Sequence, residues 1–264
     1  MFGMQMGRMG QTGSPSGLRT LYSLFASGEP GAWYDPSDMS TLFQDSAGTV
    51  PVTAVEQPVG RILDKSGRGN HATQATTTKR PVLKIDAGGC YYLSFDGVDD
   101  ALQTGNIDFT GTDKMTVWAG VVYTNTSVFI ITELSNEPAA NPGSFYLAAN
   151  DGLNLVGAAT YGTWSASLKR VTLVPGTPAF ISATYDLATP GTGLRVNTSS
   201  IGPTPIVGTT RANFRSGPLY IGARAGTSLY LNGRLYSLIV RGAQSSLLQI
   251  EATELYMKKK VGIA

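Results

Sequence analysis

Side chains suited to catalysis are few in this chain, and they fall in a handful of places. His71 is the single histidine and Cys90 the single cysteine. A zinc site takes about four nitrogen or sulfur ligands, so these two residues exclude one. A Cys90–His71 nucleophilic pair lacks a third group to orient it, and the plainer reading is a small buried thiol and a loop hydrogen-bonder. A serine triad needs the same histidine, and the stretch GSPSG at 13–17 puts Pro15 where a nucleophile elbow needs serine. Retaining glycoside hydrolysis needs two carboxyl groups roughly 5 Å apart. Glu133 and Glu137 are the nearest pair, but Asn136, Pro138 and the following AANPG run put Glu137 in a loop. Hard oxygen ligands are better supplied. Asp64, Asp96, Asp99 and Asp100 stand in Gly-rich turns and are candidate calcium ligands, against the alternative that turn aspartates cap backbone amides. Trp33, Tyr34, Tyr161 and Trp164 are candidates to stack on a sugar face, the alternative being core or interface anchors.

These residues must be held by a scaffold, and the composition says which kind. Of 264 residues, 42% are hydrophobic and only 14% charged, where about 25% is usual. Thr, Ser, Asn and Gly therefore build the surface, a composition that suits strands and turns better than helices. A net charge of +2 gives no strong field for nucleic acid or anionic membrane, and neither is expected as a partner. One cysteine allows no intramolecular disulfide, so the fold does not depend on an oxidising compartment. The start, MFGMQMGRMG, has no apolar core of signal-peptide length, and no stretch is long enough to span a bilayer.

Residues 1–17 are rich in Met, Gly, Gln and Ser without a hydrophobic period, which reads as a disordered tail or as an arm that orders against a partner. In 18–27, Leu18, Leu21, Leu24 and Phe25 share one face of a short helix that Gly28, Pro30 and Gly31 stop. From Tyr91 onward strand signals recur, among them YYLSF, KMTVWAGVVY, SVFIITEL, AFISATYDL and LYLNGRLYSLIV, most bounded by Gly, Pro, Asn or Asp. In MTVWAGVVY, Met115, Val117, Ala119 and Val121 fall on one face, with Thr116, Trp118, Gly120 and Val122 on the other. Trp118 reads as core. SSLLQIEATELYMKKK reads as a terminal helix, with Ser245 or Ser246 as cap and Lys258, Lys259 and Lys260 at its negative end. Leu247, Leu248, Ile250, Leu255 and Tyr256 are the expected docking face.

Four segments taken in order carry a resemblance: GAWYDPSD (31–38), LDKSGRGNHATQ (63–74), LSFDGVDDAL (93–102) and LNGRLYSLIVRGAQSSLLQIEATELYMKKKVG (231–262). Together they resemble the laminin-G-like branch of the concanavalin-A-like lectin/glucanase superfamily. Leu63 stands where that pattern often has Trp. The resemblance implies an all-β fold, a two-sheet antiparallel jelly-roll sandwich with a short N-terminal arm or helix and a C-terminal helix. It divides the chain into an anchoring arm with its short helix (1–30) and a jelly roll (31–264). It also implies calcium as the cofactor to look for. The E-x-D-x-x-E strand of the superfamily's glucanases is absent, so the chain is expected not to be an enzyme.

Residues 18–80, with the Met- and Gly-rich start, also look like virion proteins of tailed phages, which occur as decoration proteins, head fibres and tail appendages. That likeness implies a homo-oligomeric structural protein assembled in the host cytoplasm, held in the virion by contacts of residues 1–30 with other virion proteins. The alternative is a carbohydrate-binding module for host-surface polysaccharide.

Overall fold

The computed structural model describes residues 21–124, 128–134, 143–150, 155–160, 168–188, 191–205 and 213–264. Residues 1–20, Leu18 among them, with Tyr161, Trp164 and Glu137, lie outside that set.

Two antiparallel sheets face one another. The eight-stranded sheet runs in the order β15 (Ser199–Pro205), β14 (Gly191–Val196), β13 (Ala179–Asp186), β8 (Lys114–Tyr123), β17 (Asn232–Arg241), β6 (Tyr91–Asp96) and β5 (Val82–Ile85). Its eighth strand, β1 (Gly31–Tyr34), pairs with the second half of β17, along the edge whose first half β6 occupies. The nine-stranded sheet runs β12 (Lys169–Thr172), β11 (Leu155–Thr160), β10 (Phe145–Asn150), β9 (Phe129–Leu134), β16 (Ser216–Ile221), β7 (Leu102–Asp108), β4 (Ala72–Thr73), β3 (Arg61–Ile62) and β2 (Leu42–Phe43). The all-β sandwich with a terminal helix is as the sequence predicts.

Alternation places the core. Met115, Val117, Ala119 and Val121 of β8 pack between the sheets with Leu93, Phe95, Leu147, Ile181 and Leu219. Trp118 and Val122, one residue out of phase, point to the other side. There they join Trp33, Phe180, Tyr236 and Ile239 in a second core, roofed by Ile250, Met257 and Val261. Helix α1 (Leu247–Lys260) supplies Ile250 and Met257 to that roof. Ser246 caps it: its hydroxyl accepts from the Gln249 amide, and the Gln249 side chain accepts from the Ser246 amide.

Two expectations are corrected here. The docking face of α1 is Ile250, Thr253, Glu254 and Met257, while Leu247, Leu248 and Leu255 are exposed. A buried Thr and Glu take places that an apolar count assigns to leucines. Second, Leu21, Leu24 and Phe25 are buried in the core beneath the helix. Arg241 donates to the Leu24 carbonyl at 2.6 Å, and Arg68 to that of Phe25. A boundary at residue 30 thus does not separate arm from sandwich, because the chain from Leu21 onward belongs to the sandwich. No helix among the described residues is long and apolar enough to cross a membrane.

Candidate functional site

The outer face of the nine-stranded sheet carries a row of directly opposed residues: Tyr146 on β10, Glu133 on β9, Tyr220 on β16, Gln103 on β7, Thr73 on β4 and Arg61 on β3. Opposed residues of antiparallel strands stand on one side of the sheet with Cβ atoms about 5 Å apart. Their neighbours Leu134, Leu219, Leu102, Ala72 and Ile62 point into the main core, which fixes the row as outward. Strict alternation from Phe129 and Ile131 would send Glu133 inward. Register shifts around Ala148, opposite Ile130, break the alternation and bring Glu133 out beside Tyr146.

A loop, residues 222–231, covers part of this face. Gly222 starts it at φ +80, with the Phe95 ring so near that a Cβ would lie 2.3 Å from it. Only glycine meets both demands. Arg224 then reaches back, its Nε 3.0 Å from Oε2 of Glu133 and its guanidinium 5.7 Å from the Tyr146 ring centre. Glu133 is fully buried, whereas about a quarter of the Arg224 side chain and much of Gln103 face solvent. Burial, then the nearby Glu133 charge, pushes the Tyr220 hydroxyl above its ordinary range. The face thus presents a guanidinium edge and a carboxamide around a buried carboxylate, with Tyr146 and Tyr220 buried beside it. Such a set can hydrogen-bond the hydroxyls of a polyhydroxylated ligand.

The other acidic candidates divide. Asp96, Asp99 and Asp100 converge, one oxygen of each within 4.8 Å of the others. That is about the widest separation of two oxygens that each sit about 2.4 Å from one calcium ion. Gly97 takes φ +78 in the tight turn. Asp100 is buried, and burial with the Asp96 and Asp99 charges pushes its carboxyl up to about 6. Asp64 is a correction. Its two oxygens accept from the amides of Trp33, Ser66 and Asn70 and from the Ser66 hydroxyl at 2.7–3.0 Å, so it organises the 63–71 turn and stands apart from the cluster. His71 serves the same turn, with Nδ1 accepting from the Asp64 amide. Burial and the Arg61 charge lower its pKa. Cys90 contacts the Lys259 carbonyl instead.

The aromatic candidates are corrected too. Trp33 is fully buried, edge-on to Tyr22 and Tyr256, and Lys65 lies over its ring. Tyr34 points into the main core and donates to the Asn70 carbonyl. Neither offers a free ring face. The residues that do stand on the outer face, Tyr146, Tyr220, Gln103 and Arg224, carry no motif in the sequence.

No family model matches the chain, and no curated protein matches it. Solved structures do. A GH54 α-L-arabinofuranosidase soaked with a cyclic sulfate inhibitor is 13% identical, with TM-score 0.65 over 92% of this chain and 65% of that one. Trypanosoma rangeli sialidase in complex with sialic acid is 12% identical, with TM-score 0.56 over 94% of this chain and 38% of that one. The botulinum neurotoxin serotype G binding domain is 12% identical, with TM-score 0.53 over 75% of this chain and 48% of that one. The chain spans less than two thirds of the length of each of these solved proteins. They share its fold, an all-β sandwich. The expectation of a non-enzyme is overturned: glycoside hydrolases carry this sandwich, so one missing strand signature does not exclude catalysis.

Proposed function

We propose that the chain binds carbohydrate on the outer face of its nine-stranded sheet, through Gln103 and Arg224, which the buried Tyr146, Tyr220 and Glu133 hold in place. The observation that carries this reading is the fully buried Glu133 paired with Arg224 on that face. A charge is costly to bury unless it is needed or well paired, and here it fixes a partly exposed guanidinium over the Tyr146 ring. The similar structures, an arabinofuranosidase, a sialidase with sialic acid and a toxin binding domain, support a glycan as the ligand class. Asp96, Asp99 and Asp100 hold calcium in this reading and stiffen the β6–β7 turn, which ends three residues before Gln103 at Asp100. The setting is a virion surface that displays the sandwich to a host polysaccharide, on the strength of residues 18–80.

A second reading, hydrolysis of the bound glycan, is favoured by Glu133 itself, one carboxylate of the pair that such chemistry uses. Glycan-array binding, repeated with Gln103→Ala and Arg224→Ala, tests the first reading. Wild-type silence on every glycan sinks it. Release of reducing ends that stops in Glu133→Gln establishes the second.

A further inference from the structure

On the opposite side of the sandwich a cleft of about 490 Å³ opens between helix α1 and the outer face of the eight-stranded sheet, lined by Phe180, Arg195, Thr198, Glu251, Leu255 and Lys258, with Glu254 at its base. Its volume falls in the ordinary range of small-ligand sites. Arg195 of β14 is locked in place. Its Nε and Nη2 donate to the two oxygens of Glu254 at 2.7 and 3.0 Å, and the Ser182 hydroxyl donates to the same carboxylate at 2.7 Å. Glu254 is buried, so this grip survives whatever enters the cleft.

Three polar groups around the cleft are uncommitted among the described residues: Nη1 of Arg195, the ammonium of Lys258 and the hydroxyl of Thr198. Thr198 is held at φ +71 in the β14–β15 turn, beside Asn197 at φ +49. A β-branched residue rarely accepts that conformation, and here the two-residue hairpin closed by Val196 opposite Ser199 requires positive φ at both central positions. Across the cleft, Glu251 lies 4.0 Å from Nη2 of Arg195, too far for a good bond, and is half exposed. Leu255 adds an exposed apolar surface.

We propose that this cleft binds a carboxylate-bearing sugar, such as the uronate unit of an acidic polysaccharide. Arg195 and Lys258 take the carboxylate by charge-assisted hydrogen bonds, Thr198 and Glu251 take ring hydroxyls, and Leu255 with the Phe180 edge meets the apolar face of the pyranose. Two cations, one hydroxyl and one acceptor around an apolar patch suit a sugar acid, with an acidic peptide as the competing occupant. The site is separate from the Glu133 face, and the two are tested independently.

The experiment is a calorimetric titration of the full chain with D-glucuronate, D-glucose, the methyl ester of glucuronate and a short poly-glutamate peptide. Glucuronate is expected to bind saturably, and glucose and the ester far more weakly. Lys258→Gln is expected to weaken glucuronate about three- to five-fold, and Glu251→Gln to strengthen it about two- to three-fold, the size of one partly exposed ionic contact. Thr198→Gly removes the hydroxyl while relieving the backbone, so its loss of affinity accompanies an unchanged or raised Tm. Glu133→Gln leaves this binding intact. Absent binding, equal binding of the ester, indifference to both charge variants, or a preference for the peptide each overturn the proposal. The melting curves of Lys258→Gln and Glu251→Gln, both surface changes, show whether the fold is intact when affinity is read.

Discussion

Lys260, in the last turn of α1, places its ammonium 2.9 Å from both carboxylate oxygens of Asp35, at the start of the loop that follows β1. Lys65 closes the other side at 3.5 Å. Burial alone would raise the Asp35 carboxyl; the Lys260 charge and hydrogen bond, with those of Ser37 and Lys65, hold it below the usual carboxylate range. The Lys run is therefore more than a helix-end preference, because its third member fastens the helix to the first strand. Lys260→Met is expected to destabilise the chain by about 2–3 kcal/mol, less than a lone buried pair because Lys65 remains. Since the folded pKa is depressed, the pair's contribution is fully present above the unfolded value near 4 and is lost as pH falls through the folded value. Denaturant melts at neutral pH and at about pH 3 should converge for wild type and variant at the acid end. A gap that persists there would assign the loss to packing instead.

Asp100 runs the opposite way. Its folded pKa is raised to about 6 from 3.8, so the unfolded chain releases its proton first, and stability falls as pH rises from about 4 to 6. Above that range the full penalty stands. A calcium ion among Asp96, Asp99 and Asp100 would offset it. Calcium is expected to raise Tm at about pH 7.5 and to do little at about pH 5, where the proton competes for the same oxygens. Asp100→Asn should be more stable than wild type by about 1–2 kcal/mol in chelator near neutral pH, and blind to calcium. Equal melting with calcium and with chelator at the higher pH would remove the ion from the site.

Much of the scaffold is legible in the sequence because its signals are local. The alternation in MTVWAGVVY sorts Met115, Val117, Ala119 and Val121 to one core and Trp118 to another, and Ser246 with Lys258–Lys260 marks both ends of α1. The site is less legible for two physical reasons. An irregular register turns Glu133 outward, and no residue type in FIITEL announces it. The partners of Glu133 come from β10, β16 and the 222–231 loop, 13 to 91 positions away, so only folding assembles them. Trp33 and Tyr34 look like sugar platforms by type, yet both are consumed by packing. Asp64 shares its motif style with the Asp96, Asp99 and Asp100 group, but sits in a turn that uses all its lone pairs on amides and a hydroxyl.

Glu133 and Arg224 should behave as a unit. Arg224→Ala leaves a buried carboxylate without this cation and is expected to cost about 3 kcal/mol or more. Glu133→Gln keeps the shape and a hydrogen-bond acceptor and should cost less, about 1–2 kcal/mol. The double variant Glu133→Gln/Arg224→Met should recover part of the single Arg224 loss, giving a coupling energy of about 1 kcal/mol or more in a double-mutant cycle. Strict additivity would mean that the two side chains do not sense one another. The Tyr220 hydroxyl gives an independent readout, because loss of the Glu133 charge should lower its raised pKa toward the ordinary tyrosine value in a spectroscopic titration.

The segment before β1 decides where the sandwich begins. Leu21 and Leu24 are fully buried and Phe25 nearly so, all three packed with Trp33, Ile250 and Met257. Arg241, itself buried, spends its guanidinium on this segment: Nε donates to the Leu24 carbonyl, and Nη2 pairs with Glu29 at 2.7 Å. Removal of residues 1–25 strips the inner wall from the helix core and takes away the Leu24 carbonyl that Arg241 binds, while Glu29 stays in the chain. The loss of the wall belongs to a class that costs several kcal/mol, against the roughly 5–15 kcal/mol that hold a domain folded. The truncated chain is therefore expected to lose its sharp melt or to drop in Tm by tens of degrees, with α1 detaching first. Leu24→Ala in the full chain, which leaves the Arg241 bonds to the main chain, should cost about 2–4 kcal/mol. Hydrogen exchange at the Ile250–Met257 amides is the discriminating measurement. Protection there that is unchanged by the truncation would show that the helix needs no wall from this segment, and would return residues 21–25 to the status of a detachable arm.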